Sequence, residues 1–172
     1  MDDLGRIVIP KEIRRTMHIH EGDPLEIYTD HEGKIIFKKY SPIGELGTFA
    51  TQYTATLYEV TGYATFVTDR DNIIAVSGAS KKEFLNKRIS SDLEKVIEDK
   101  IAFISKLGAN SKVPITDDGA KCVAGVIFPI IFKGDSIGSI VISSEADSPE
   151  MGEVEEKLAQ SAAYFLGSQM DQ

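Results

Sequence analysis

The stretch that decides the fold of the first part of the chain is MDDLGRIVIPKEIRR, residues 1–15. Its apolar, β-branched run Ile7–Ile9 predicts a short strand. Pro10 ends that strand, because proline has no N–H to donate and its fixed φ angle suits the first position of a helix. Ile13 and Met17 lie four residues apart, which is the spacing of an apolar stripe on a helix. The stretch therefore predicts a strand that leads directly into a short helix.

The charge of the chain is distributed unevenly. All 172 residues together carry a formal net charge of -8, but residues 1–40 contain seven basic and eight acidic residues. The rest of the chain contributes -7, which argues against a broad surface for nucleic acid or anionic membrane in that part. A polyanion is therefore expected to bind to the first forty residues. The basic cluster around the predicted helix consists of Arg6, Lys11, Arg14 and Arg15.

A hairpin and a chain boundary follow the predicted helix. Residues 25–40, LEIYTDHEGKIIFKKY, read as two strands joined by a turn at Asp30–Gly33, where Gly33 supplies the positive φ that such a turn usually requires. Pro and Gly in the next four residues mark a linker at 41–44. We therefore expect a head, residues 1–40, a linker, residues 41–44, and a body, residues 45–172.

The body has the pattern of an α+β domain. Apolar residues at helical spacing predict a first helix at 44–60 and a last helix at 150–170. Residues 63–78 and 121–144 read as two hairpins of one antiparallel sheet. Two further helices are expected between these hairpins, because two serines each precede a glutamate at the spacing of a capping box, Ser80 with Glu83 and Ser91 with Glu94.

The size of the head predicts self-association. Forty residues without a disulfide or a metal rarely bury enough apolar surface to fold alone, so the head should complete its core with a second copy. A twofold axis would then relate two basic clusters, which is the symmetry of a pseudo-palindromic DNA duplex. From spacing alone, a solvated basic face that binds nothing is an equally good interpretation.

Residues 2–43, from DDLGRIVIPKEIRR to KKYSPI, closely resemble the N-terminal domain of the AbrB family of bacterial transition-state regulators. The shared order is Leu-Gly-Arg, an apolar run, Pro, then Arg-Arg. The resemblance implies a swapped-hairpin barrel, dimeric, that binds double-stranded DNA through Arg6, Arg14 and Arg15, with Lys11 as a further phosphate contact. In that family another strand precedes the Leu-Gly-Arg segment. This head begins at Met1, so we expect it to be truncated, with the first strand missing. The alternative is a head that builds its barrel differently.

The predicted element order of the body resembles a GAF domain, a fold that senses small molecules. This resemblance implies a ligand pocket within the segment Lys81–Lys121, between the sheet and the helices and loops that cross it. Leu107 and Gly108 stand where cyclic-nucleotide GAF domains have an acidic pair, so a cyclic nucleotide is not the expected ligand. A body that only dimerises remains the alternative, and the ligand itself is unknown.

Catalysis, metal binding and a membrane location are not expected. All three histidines lie in the head and the body has no nucleotide-binding or nucleophile motif, so we predict no catalytic residue, no metal and no cofactor. The single cysteine, Cys122, excludes an intrachain disulfide and reads as a small buried apolar residue. Without a long apolar run or a basic leader, the chain is expected to be cytoplasmic.

The resemblances imply a transcription regulator of sporulation in endospore-forming bacteria; the charge pattern alone does not indicate sporulation. Its head would bind DNA, its body would modulate that binding, and the chain would assemble as a homodimer or as a dimer of dimers, a homotetramer. An unknown small-molecule effector is a further expected partner. Two alternatives remain, an antitoxin, which shares this type of head, and a small-molecule sensor that binds no DNA.

Overall fold

The computed structural model describes residues 3–105, 112–118, 122–144 and 151–170. The chain divides into two compact units, residues 1–40 and residues 41–172. The first unit is the head, and the second contains the residues of the predicted linker together with the body. Among the described residues, no helix is both long enough and apolar enough to cross a membrane.

The head consists of one short helix and one hairpin. Helix α1 spans Lys11–Thr16, and the antiparallel strands β1, Leu25–Thr29, and β2, Ile35–Lys39, pair with Leu25 opposite Lys39. The predicted hairpin and its turn are confirmed. Gly33 has a φ of 81°, and the Asp30 carboxylate accepts the backbone N–H groups of Glu32 and Lys34, which fixes the turn locally.

The predicted strand at Ile7–Ile9 is wrong for a single chain, because residues 5–10 have no regular secondary structure. A strand needs a hydrogen-bonded neighbour, and one copy of the head supplies none to this segment. The expected inward stripe of α1 is also exposed, since Ile13 and Met17 keep 48% and 45% of their accessible surface. None of residues 3–40 is buried, so the head has no apolar core of its own.

The body is built on one six-stranded antiparallel sheet. The strands span Thr65–Thr68 (β3), Ile73–Ser77 (β4), Phe103–Ile104 (β5), Val113–Pro114 (β6), Val123–Phe132 (β7) and Asp135–Ser144 (β8). Their order in the sheet is β4-β3-β8-β7-β5, and β6 pairs with β7 beyond the end of β5. Both predicted hairpins are confirmed, as β3 with β4 and as β7 with β8.

Helices cover both faces of this sheet. The helices span Gly47–Thr61 (α2), Lys81–Phe84 (α3), Ser91–Asp99 (α4) and Glu153–Gln169 (α5). Successive residues of a strand point to opposite faces, so Ile140 packs into the core under α2 and α5, whereas Val141 packs into the core under α4. The sheet is therefore buried on both sides, which explains the long apolar run of β7.

The two predicted capping boxes are wrong. Ser90, and not Ser91, caps α4, because its hydroxyl oxygen accepts the N–H of Leu93 at 3.1 Å. The same hydroxyl donates to the carbonyl of Pro114 at 2.6 Å. The fully buried Ser90 therefore provides a hydrogen-bond partner for a backbone N–H of α4 and for a backbone carbonyl of β6. Ser80 precedes α3, but its side chain makes no capping hydrogen bond to that four-residue helix.

The residues of the predicted linker are packed. Pro42–Leu46 forms a 3-10 helix, which is why α2 begins at Gly47 and not at the predicted Gly44. Ile43 is completely buried in the core shared with α2 and α5. The hydroxyl of Ser41 donates to the carboxylate of Asp69 at 3.0 Å. The segment 41–44 is therefore attached to the body by an apolar anchor and a hydrogen bond.

A first prediction concerns this anchor. Replacing Ile43 by Ala should lower the free energy of unfolding of the body by about 2–5 kcal/mol, because it leaves a cavity at a fully buried site. Chemical denaturation of the full chain, followed by circular dichroism, measures the change. Ile101→Ala is the matched control, since Ile101 keeps 69% of its surface exposed. Equal stabilities of the two variants would contradict the packing of the linker.

A second prediction concerns the contact between β3 and β8. A Cβ atom at Gly138 would lie well inside van der Waals contact of the carbonyl oxygen of Thr68. Gly138→Ala should therefore force the strands apart and cost about 1–3 kcal/mol of stability. Gly47→Ala is the control, because Gly47 has helical φ and ψ angles of -50° and -36° and open space around it. Thermal melting compares the stabilities of the two variants. A Gly138→Ala protein with the melting temperature of the parent chain would refute the close contact between β3 and β8.

Candidate nucleic-acid interface

Three of the four predicted DNA-contacting residues lie on α1. Lys11, Arg14 and Arg15 occupy positions i, i+3 and i+4 of the helix and therefore share one face. All three are exposed. Arg15 lies 4.0 Å from the Glu12 carboxylate, but both side chains are 82% exposed, so this ion pair stabilises the helix little. The face is available to a ligand.

The fourth predicted residue, Arg6, lies on the segment that approaches α1. Arg6 is exposed, and Gly5 before it has a φ of 74°, in the left-handed region that favours glycine. The glycine of the Leu-Gly-Arg motif thus bends the chain immediately before the arginine. Pro10, with a φ of -54° and a ψ of 144°, lies directly before α1 and is therefore not its first helical residue, contrary to the prediction from the sequence. Arg6 and the three basic residues of α1 thus lie within ten residues of chain, with Gly5 before them and Pro10 between Arg6 and the helix.

The end of α1 is fixed by the backbone of the two arginines. The carbonyl of Arg14 accepts the N–H of Ile19 at 2.8 Å, and the carbonyl of Arg15 accepts the N–H of His18 at 3.3 Å. This pair of bonds is a Schellman motif, in which His18, with a φ of 49°, takes the left-handed position where glycine is usual. The helix therefore stops directly behind Arg14 and Arg15.

A carboxylate that is sheltered from solvent, that of Asp23, holds the turn after α1. The Nζ of Lys39 donates to the carbonyl of His18 at 2.8 Å and lies 3.3 Å from the Asp23 carboxylate. Asp23 also accepts the N–H of His20 at 2.8 Å, and only 4% of its side chain is exposed. Asp23 and Lys39 thus join the end of β2 to the turn that ends the basic helix.

The charge of Asp23 is maintained by this arrangement. Burial raises the pKa of Asp23, but the hydrogen bond from His20 and the charge of Lys39 outweigh burial, so the pKa is lowered overall. The stabilisation from this carboxylate is therefore complete above the pKa of an unfolded aspartate, about 3.9. It is lost as the pH falls through the still lower pKa of the folded state.

Asp23 and Lys39 were not among the residues predicted from the sequence. The alternation of side chains along β2 could have indicated Lys39, because alternate residues of a strand point to the same face. Lys39 therefore lies on the same face as the apolar Phe37, and both residues are half-buried. His20 and His31 are exposed, and His18 acts through its backbone.

The second candidate site, the predicted pocket within Lys81–Lys121, is described only in part, because residues 106–111 and 119–121 lie outside the described residues. The described residues of this segment pack against the sheet. Cys122, predicted to be buried, is half-buried at the edge of the same cluster. The pocket itself stays a prediction. The buried apolar side chains that the segment contributes are Phe84, Ile89, Leu93, Ile97, Val113 and Ile115.

Two family models match the chain. The family described as "Stage V sporulation protein T C-terminal, transcription factor" matches residues 45–171. The family described as "Antidote-toxin recognition MazE, bacterial antitoxin" matches residues 2–45. The first match covers the body, and the second covers the head and the residues that follow it.

Known proteins resemble the whole chain and each of its parts. Stage V sporulation protein T of Bacillus subtilis (strain 168) is 48% identical over 172 residues, which is 100% of this chain and 95% of that protein. Transition state regulatory protein AbrB of the same organism is 64% identical over 42 residues, 24% of this chain and 43% of that protein. The GAF domain from Acinetobacter phosphoenolpyruvate-protein phosphotransferase has a TM-score of 0.57 at 9% identity, with 76% of this chain and 88% of that chain covered.

These matches confirm the predicted fold class, an AbrB-like head followed by a GAF-like α+β body. At 9% identity the Acinetobacter domain shows the fold alone. The match to the Bacillus subtilis protein is of a different kind, because it extends over the entire chain. Together with the family model that covers residues 45–171, it shows that this chain belongs to the stage V sporulation protein T family.

Proposed function

We propose that this chain regulates transcription during sporulation, binding double-stranded DNA through the head and modulating that binding through the body. The observation that carries the proposal is the exposed face of α1 with Lys11, Arg14 and Arg15, in the segment that matches AbrB at 64% identity. The 48% identity to stage V sporulation protein T over the whole of this chain supports the assignment to sporulation. We propose no catalytic activity, because the family model that covers the body is that of a transcription factor.

The exposed apolar surface of the head supports dimerisation. Nine large apolar side chains among residues 3–40 keep between 45% and 77% of their surface exposed. Such a surface is unfavourable in water and needs a partner, and a second copy supplies an equally apolar one. The nine are Leu4, Ile7, Val8, Ile13, Met17, Ile27, Tyr28, Ile35 and Ile36.

Dimerisation also gives the basic cluster its symmetry. A twofold axis through the head relates two copies of Arg6, Arg14 and Arg15, and a pseudo-palindromic duplex presents the same symmetry. Arginine suits this role because its planar guanidinium group can make paired hydrogen bonds to phosphates and to guanine. The acidic body repels the duplex, which confines DNA to the head.

A second candidate function is that of an antitoxin, which the match of residues 2–45 to the MazE family favours. The body weighs against it as the sole function, since residues 45–171 match a transcription-factor family and form a packed sheet domain. DNA binding alone does not separate these two candidates, because an antitoxin shares this type of head. Binding of a toxin by the full chain would favour the antitoxin. A full chain that binds no DNA would favour the third candidate, a small-molecule sensor.

The salt dependence of DNA binding provides a third prediction. If the six arginines of a dimer each neutralise one phosphate, the log-log slope of affinity against salt should reach about -5. Arg14→Ala with Arg15→Ala removes four of these contacts and should reduce the slope to about -2. Fluorescence anisotropy of a labelled duplex measures both slopes with the full chain.

The matched control for that experiment is Lys34→Ala with Lys38→Ala. This variant removes the same number of charges from exposed positions of the hairpin, outside the basic cluster. It should therefore bind DNA with nearly the parent slope. If the two double variants behave alike, or if the arginine variant binds as the parent does, Arg14 and Arg15 are not DNA contacts.

Self-association provides a fourth prediction. Light scattering and sedimentation of the full chain should show a dimer or a dimer of dimers, because the head lacks a core of its own. Ile13→Asp should weaken assembly through the head, since it places a charge on the apolar side of α1. Glu12→Asp, at the neighbouring exposed position, is the control. A monomer that persists at all concentrations would contradict the proposed dimer.

A further inference from the structure

The orientation of Arg14 and Arg15 depends on residues that are not part of the basic cluster. We propose that Asp23 and Lys39 are positioning residues, which set the direction of the two arginines by fixing the turn that ends α1. This inference rests on the proposed DNA binding of the head. It adds a pair of residues that determine how well one duplex is distinguished from another.

Helix α1 needs external support. It contains six residues, which is fewer than an isolated helix requires in water, and none of them is buried. Packing against a core therefore does not hold the helix within one copy of the head. What fixes its C-terminal end is the Schellman motif formed by the carbonyls of Arg14 and Arg15.

That motif contains a strained residue. His18 adopts a φ of 49° without being glycine, a conformation that costs energy for a residue with a Cβ atom. Such a conformation persists only where surrounding contacts enforce it. Lys39 provides the contact, because its Nζ donates to the carbonyl of His18 at 2.8 Å.

The ammonium group of Lys39 is itself held in place. It lies 3.3 Å from the carboxylate of Asp23, whose side chain is 4% exposed, while that of Lys39 is 21% exposed. Salt and water screen such a sheltered pair much less than an ion pair at the surface. At least two of the three N–H donors of Lys39 thus face groups of the head, which suits a positioning role and not a phosphate contact.

The same residue fixes the end of β2. Lys39 pairs with Leu25 across the hairpin, and the next residue, Tyr40, donates its N–H to the carbonyl of Pro24 at 3.1 Å. The packed segment that begins at Ser41 follows directly in the chain. A displacement of the end of β2 would therefore move the carbonyl of His18. The turn that ends α1, directly behind Arg14 and Arg15, would move with it.

The test compares two lysines of one strand. Lys39→Met and Lys38→Met remove the same charge from neighbouring positions of β2, and Lys38 is exposed. The probes are a duplex that the parent chain selects from a random pool and an unselected duplex of equal length. Lys39→Met should weaken binding of the selected duplex about tenfold relative to Lys38→Met, the change expected for one charged hydrogen bond.

Binding of the unselected duplex and the salt slope should be the same for the two variants, because neither removes an arginine. Lys39→Arg should restore most of the lost selectivity, since guanidinium can donate to both His18 and Asp23. If Lys39→Met lowers binding of both duplexes and reduces the slope by about 0.9 per lysine, Lys39 is a phosphate contact and the inference is wrong. Equal selectivity of the two methionine variants would also overturn it.

Two further outcomes are decided separately. If Lys39→Met fails to assemble, Asp23→Asn serves instead, because the amide can still accept the N–H of His20 but no longer carries the charge that holds Lys39. The Asp23→Asn variant should lose selectivity for the selected duplex. If it discriminates between the two duplexes as well as the parent chain does, the positioning role is refuted. If the parent chain selects no duplex at all, the proposed DNA binding itself fails. A parent that selects DNA while Lys39→Met and Asp23→Asn keep its selectivity would refute this inference alone.

Discussion

The head of this protein has to bury its apolar surface against something outside one copy of itself. None of residues 3–40 is buried, although the segment contains nine large apolar side chains that remain exposed by 45% or more. Hydrophobic burial is the main favourable term in folding, so we do not expect a unit whose described residues include no buried apolar side chain to be stable alone. The twofold arrangement that we propose for the basic cluster would depend on how a second copy covers this surface.

The body satisfies the same requirement within one chain. Its sheet is covered on both faces, and the cores under α2 with α5 and under α4 are separate clusters of fully buried side chains. Ile43 extends the first of these cores into the segment that follows the head. Lys39 and Tyr40 of the head come directly before that segment in the chain. Lys39 in turn holds the turn behind Arg14 and Arg15.

The sequence predicted best what local chemistry determines. The turn at Asp30–Gly33 follows from one glycine and one aspartate, and the two hairpins of the body follow from apolar runs with turn residues between them. The strand at Ile7–Ile9 was wrong for one chain because pairing needs a second backbone, which a sequence pattern does not supply. The cap of α4 was misplaced by one residue, since Ser90 and Ser91 are equivalent in pattern and only the carbonyl of Pro114 selects Ser90. Lys39 was missed for a similar reason, because its partners Asp23 and His18 are distant in sequence.

Hydrogen exchange at the backbone amides of Ile7–Ile9 tests most directly whether a second copy completes the head. In the full chain at high concentration, these amides should exchange slowly, because the partner supplies the strand pairing that one copy lacks. Dilution below the dissociation constant of the dimer should remove the protection, while the amides of β7 and β8 in the body stay protected. Rapid exchange at Ile7–Ile9 at every concentration, in a chain that still selects DNA, would contradict the dimeric head.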